Sequence, residues 1–72
     1  VLDEPVTSLQ APGLDGYVGI LANHAPIIVA LGQGRLTVAR HGNERIFQIS
    51  GGFLEVVDNV ATVLADSLNE AA

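Results

Sequence analysis

The side chains of widest chemical reach in this 72-residue chain are two histidines, His24 and His41, and eight carboxylates. A metal centre built on them would need histidines at ligand spacing, H-x-H or H-x-x-x-H, or carboxylates carried in by the fold. Neither spacing occurs, and the two histidines fall on separate turns, where an imidazole ordinarily faces solvent or bonds to its own loop. Gly13-Leu14-Asp15-Gly16-Tyr17-Val18-Gly19 reads G-x-x-G-x-x-G, so it lacks the G-x-G opening and the following helix of a dinucleotide-binding turn. Ser50, in Ile49-Ser50-Gly51-Gly52, has no nucleophile elbow and no base set beside it by spacing. Asp3 and Glu4 are adjacent and would face opposite sides of an extended chain, which is the wrong arrangement for a paired acid and base. With no cysteine there is no thiol nucleophile, thiolate ligand or disulfide. With no lysine there is no P-loop, no Schiff base and no arm for a lipoyl or biotinyl group. No cofactor is expected.

One polar feature is built for contact rather than catalysis. In Asn23-His24-Ala25-Pro26, the proline removes a backbone donor and drives Ala25 toward extended geometry, so His24 stands on a rigid corner just before an apolar run. A histidine there either meets a partner or bonds within its own loop.

Turn signals at Ala11-Pro12-Gly13, Asn23–Pro26, Gly32-Gln33-Gly34, His41-Gly42-Asn43, Gly51-Gly52 and Asp58-Asn59 break the chain into short segments rich in β-branched and aliphatic residues. The resulting strands are 6–10, 17–21, 27–31, 35–40, 45–50, 53–57 and 60–65. Along Arg35–Arg40, Leu36 and Val38 share one face and Arg35 and Thr37 the other, the alternation of a half-buried strand. Val60-Ala61-Thr62-Val63-Leu64 is more uniformly apolar, which suits a central strand between two layers. The His41-Gly42-Asn43 and Asp58-Asn59 turns read as hairpins, since Asn, Asp and Gly tolerate positive φ. Without room for crossover helices the sheets must be antiparallel and pack on each other, giving an all-β fold, a small antiparallel β-sandwich or flattened barrel. Leu36, Val38, Phe47, Phe53 and Leu64 are its expected core residues. Residues 1–66 form this domain, and residues 67–72 are a tail: Ser67-Leu68-Asn69-Glu70 matches a capping box, so either a helix begins there or a polar end frays.

Composition limits the partners. The chain is 49% hydrophobic but only 4% aromatic, so the core is aliphatic. A domain this small buries only about 60% of its unfolded surface, which leaves it marginal unless a neighbour covers some apolar area. Three arginines against eight acids give a net charge of −5, which repels phosphate backbones and anionic lipid and favours a basic protein surface. No nucleic acid and no lipid insertion are expected, as no stretch approaches the roughly 20 apolar residues of a membrane span. The opening Val1-Leu2-Asp3, without methionine, points to a processed protein or a fragment.

The ordered set Ala11-Pro12-Gly13, Gly16, Gly19-Ile20-Leu21, Asn23-His24-Ala25-Pro26, Leu31 with Gly34, Ser50-Gly51-Gly52-Phe53-Leu54-Glu55-Val56 and Val63-Leu64-Ala65-Asp66 resembles the epsilon subunit family of F-type ATP synthases, over about residues 6–67. The resemblance implies a ten-stranded sandwich followed by a helical hairpin, with the first strand upstream of Val1 and the hairpin after Ala72. It implies a non-catalytic part of the central stalk that grips the gamma subunit and rests on the polar loops of the c ring, joined through the complex to the alpha/beta head. The ring-facing loops would carry Asp15, Tyr17, Asn23, His24 and Ala25. Tyr17 stands where the family often has an acidic residue, and Asp15 could supply the charge instead. The implied location is peripheral, on the cytoplasmic face of the bacterial plasma membrane or the stromal face of the thylakoid. The competing reading from the residues themselves is a small ligand-binding or enzymatic barrel using His24, Asp15 and Glu55 around a pocket.

Overall fold

A computed structural model describes residues 2–71. Nine strands form among them: β1 (Leu2–Pro5), β2 (Ser8–Gly13), β3 (Gly16–Leu21), β4 (Ile27–Ala30), β5 (Gln33–Arg40), β6 (Asn43–Ser50), β7 (Phe53–Val57), β8 (Val60–Leu64) and β9 (Ser67–Glu70). Every pairing between them is antiparallel. They make a four-stranded sheet in the order β1-β8-β7-β4 and a five-stranded sheet in the order β3-β2-β5-β6-β9. The antiparallel sandwich expected from the turn spacing is the fold observed, and all seven expected strands are present within a few residues of their expected limits.

Two hairpins show how local sequence sets register. Arg40 pairs with Asn43 around His41 (φ 50°) and Gly42 (φ 84°), and Val57 pairs with Val60 around Asp58 (φ 51°) and Asn59 (φ 64°). Two successive positive φ values define the turn whose twist matches that of the flanking strands. A one-residue slip in either would turn the apolar positions outward. Instead, Leu36 and Val38 of β5, Phe47 and Ile49 of β6, Leu54 and Val56 of β7 and Ala61 and Val63 of β8 all face inward and are buried. Val6, Leu9, Ala11, Ile20 and Leu31 complete the core, and no polar or charged side chain is buried among the described residues.

Several expectations are corrected. Ala11-Pro12-Gly13 is strand rather than turn, and the β2–β3 turn is Leu14-Asp15, with Gly13 paired to Gly16. Pro12 is tolerated because its carbonyl accepts from Gly32 N on the side away from β3, beyond the reach of the β2–β5 ladder, so no strand lacks a donor there. Of the expected Gly32-Gln33-Gly34 turn, Gln33 and Gly34 belong to β5, while Gly32 and Gly51-Gly52 are points where the chain passes from one sheet to the other. Phe53 and Leu64 are not core: they pair across β7 and β8 on the outer face and are 58% and 56% exposed. The largely apolar segment Val60–Leu64 does mark a strand flanked on both edges, but the face bearing Thr62 and Leu64 is left open rather than covered by a second layer.

Ser67–Glu70 is neither a helix start nor a frayed end. It is β9, paired to β6 from Ser67 with Ser50 to Glu70 with Phe47. A capping box would bend Glu70 back to the Ser67 amide. Here the Glu70 carboxylate accepts two hydrogen bonds from Arg45 instead, from Nε at 2.9 Å and Nη2 at 2.8 Å, and Leu68 packs against the core. Glu70 is held below the usual carboxylate range chiefly by that hydrogen bond, and Arg45 is raised by the same contact.

Candidate functional site: the β3 edge and the His24 corner

The five residues implied as ring-facing do not share one loop. Asp15 lies in the turn before β3, Tyr17 on β3 itself, and Asn23, His24 and Ala25 in the connection after it. Gly16 to Leu21 is five residue steps at ~3.4 Å, so the two loops lie roughly 17 Å apart. What joins them is β3, the terminal strand of the five-stranded sheet, whose outer side has no strand partner. β4 is likewise terminal in its own sheet and follows directly in sequence. The site is therefore an edge, not a pocket. His24, Asp15 and Glu55 do not converge: Asp15 and Glu55 line separate open hollows, with Glu55 on the outer face of β7 opposite Ile28. Among the described residues no group of three His, Cys, Asp or Glu side chains could hold a metal.

Tyr17 is pinned rather than free. Its hydroxyl accepts from Arg35 N at 3.0 Å, and its ring crosses the outer face of the sheet above Pro12 and Gly34. A Cβ at Gly34 would come within 2.6 Å of that hydroxyl and 2.9 Å of Pro12 Cβ, so this close approach requires glycine. Since the phenol oxygen accepts the backbone bond, its own proton is left to donate outward.

At the other end, Asn23 takes a left-handed conformation with φ 64° and turns the chain out of β3. His24 Nδ1 lies 2.6 Å from the Ala25 carbonyl oxygen. A carbonyl can only accept, so Nδ1 carries the proton and Nε2 faces outward, an acceptor when the ring is neutral and a donor when it is charged. The corner thus bonds within its own loop while the imidazole stays exposed.

Around this edge the surface is more apolar than a soluble monomer requires. Leu14 (71%), Tyr17 (55%) and Leu21 (74%) are exposed along β3 and its turn, without the lysines that usually guard an edge. On the outer face of the four-stranded sheet, Ile28, Phe53, Val57 and Leu64 are exposed as well. The sequence pattern held a signal for this second patch, because Phe53-Leu54-Glu55-Val56-Val57 alternates with apolar residues on both faces. Glu55, on the Phe53 and Val57 face, is the residue in this run that marks that face as the outer one.

Fold and site together define a two-layer antiparallel β-sandwich module with a side-chain-filled core, whose exposed chemistry lies on one strand edge and one apolar sheet face. The chain belongs to the ATP synthase delta/epsilon chain β-sandwich domain family, whose model matches residues 1–71. It is 46% identical over 68 residues to the ATP synthase epsilon chain of Solibacter usitatus (strain Ellin6076), covering 94% of this chain and 51% of the relative. To the ATP synthase epsilon chain of Roseiflexus sp. (strain RS-1) it is 45% identical over 71 residues, covering 99% of this chain and 51% of the relative. The chain therefore spans about half the length of the curated relatives it matches. In three dimensions it resembles a chain of the cryo-EM structure of the Euglena gracilis mitochondrial ATP synthase, OSCP/F1/c-ring, in rotational state 1. The TM-score is 0.80 at 30% identity, covering 93% of this chain and 43% of that one.

Proposed function

We propose that this domain is the sandwich portion of a non-catalytic central-stalk subunit of an F-type ATP synthase, passing rotation of the c ring to the gamma subunit. The observation that carries the reading is the family match along residues 1–71, in register with ATP synthase epsilon chains at 46% and 45% identity. The physical design agrees with it. A packed aliphatic core resists deformation, which torque transmission needs. The outer face bearing Ile28, Phe53, Val57 and Leu64 offers apolar area for gamma, and the β3 edge with Asp15, Tyr17, Asn23, His24 and Ala25 offers polar groups for the ring loops. A net charge of −5 complements arginine-bearing loops and orients the encounter. The alpha/beta head would be reached only through the assembled complex. No helix among the described residues is long and apolar enough to cross a membrane. The domain would lie peripherally, at the cytoplasmic face of a bacterial plasma membrane or the stromal face of a thylakoid.

The test is co-purification of the full-length protein with gamma and with detergent-solubilised c ring. Retention by both is the expected result, and failure to bind either refutes the assignment.

A further inference from the structure

Asn59 makes three hydrogen bonds to two other segments. Its carbonyl accepts from Val6 N at 2.8 Å, where the chain leaves β1 for β2. Its Oδ1 accepts from Asn23 N at 2.7 Å, and its Nδ2 donates to Asn23 Oδ1 at 3.3 Å. Asn59 closes the β7–β8 hairpin of one sheet, while Asn23 opens the β3–β4 connection leaving the other, and both have φ 64°. Among the described residues, the Asn23 bonds are those that tie residues 22–26 to another element; the His24 ring bonds only within its own loop.

We propose that Asn59 is the positioning residue for the His24 corner: its amide clamps Asn23 and so fixes the direction in which His24 Nε2 is presented. The clamp spans the two sheets, so the corner is referenced to the sandwich as a whole rather than to β3 alone. The clamp itself is independent of what the corner binds. Its consequence for ring binding rests on the reading of the β3 edge given above.

Asn59→Gly is a clean lesion, because glycine accepts the positive φ and Asp-Gly is a favoured pair for this hairpin turn, so β7 and β8 keep their register. Asn59→Asp restores an acceptor for Asn23 N and tolerates the same backbone. In the full-length protein, amide exchange at Asn23 is expected to speed up about fivefold in Asn59→Gly, the worth of one to two exposed hydrogen bonds. Affinity for detergent-solubilised c ring should fall by a similar factor, with the exchange of β7 and β8 amides unchanged. Asn59→Asp should return both quantities to within about twofold of the parent. Unchanged Asn23 exchange in Asn59→Gly overturns the clamp. Faster exchange with undiminished ring affinity, or failure of Asn59→Asp to restore either, overturns its positioning role. If the parent protein does not bind the ring at all, the ring-facing assignment fails, while the exchange measurement still decides the clamp.

Discussion

Gly52 is the position where a single methyl group should do the most damage. It lies where the chain passes from β6 to β7, at φ 111°, and an added Cβ would run into the Leu64 carbonyl oxygen and stand 2.6 Å from Ala65 Cα. Both obstacles are backbone at the end of β8, so neither can swing aside. The left-handed conformation costs an alanine ~1–2 kcal/mol, and forcing apart packed backbone adds ~1–3 kcal/mol, so Gly52→Ala should cost about 2–5 kcal/mol. At roughly 0.05–0.15 kcal/mol per residue, a domain of this size holds only about 4–11 kcal/mol. A loss of 2–5 kcal/mol lowers the thermal midpoint by roughly 10–30 °C in a domain of this size. Gly42→Ala is the control: it also sits at positive φ, 84°, but nothing lies within 4 Å of its Cβ, so only the conformational cost remains. Its midpoint should drop by about 5–10 °C. Thermal unfolding of both variants, followed by circular dichroism, separates the two contributions. If the midpoints of Gly52→Ala and Gly42→Ala agree to within about 3 °C, the close approach of Gly52 to Leu64 and Ala65 is not what demands glycine there.

His24→Ala should leave the fold intact, since the ring is exposed and bonds only to its own loop, but weaken ATP-driven proton pumping in a reconstituted complex; unchanged pumping contradicts the ring-facing role. Phe53→Ser combined with Leu64→Ser removes apolar area from an exposed pair, so unfolding in urea should shift by less than about 1 kcal/mol while gamma binding weakens at least tenfold. Glu70→Gln tests the Arg45 contact through pH. Because Glu70 is lowered in the folded state, its contribution is complete above the ordinary glutamate range and is lost as pH falls through its depressed value. The parent's β9 amides should therefore exchange faster on acidification, as judged by the excess over the intrinsic pH dependence of exchange. In Glu70→Gln they should be fast already at neutral pH and show no such acid response.

The period-2 alternation of Arg35–Arg40 and the turn chemistry of His41-Gly42 and Asp58-Asn59 act between near neighbours, so strands β5 to β8 and their hairpins follow from local sequence. The exclusions of thiol, Schiff-base and P-loop chemistry follow from composition alone. β9 does not: Ser67–Glu70 carries a helix-capping signal, and it becomes a strand because β6 offers an open edge and Arg45 captures Glu70. For β7 and β8 the residues pointed both ways: Glu55 and Thr62 mark one face as polar, but Phe53 and Leu64 on that same face carry as much apolar bulk as a core position. Packing placed Leu54 and Val63 inside and left Phe53 and Leu64 to solvent. Asn59 reads in sequence only as a turn residue, and its bond to Asn23, 36 residues away, exists because the two sheets bring their loops to the same end of the sandwich. Sequence determined strands β2 to β8, the absence of those three chemistries and the rigid corner at His24, because those depend on residue type and short spacing. Tertiary structure decided strands β1 and β9, the exposure of Phe53 and Leu64, the edge and the clamp on that corner, because those depend on which strands become neighbours.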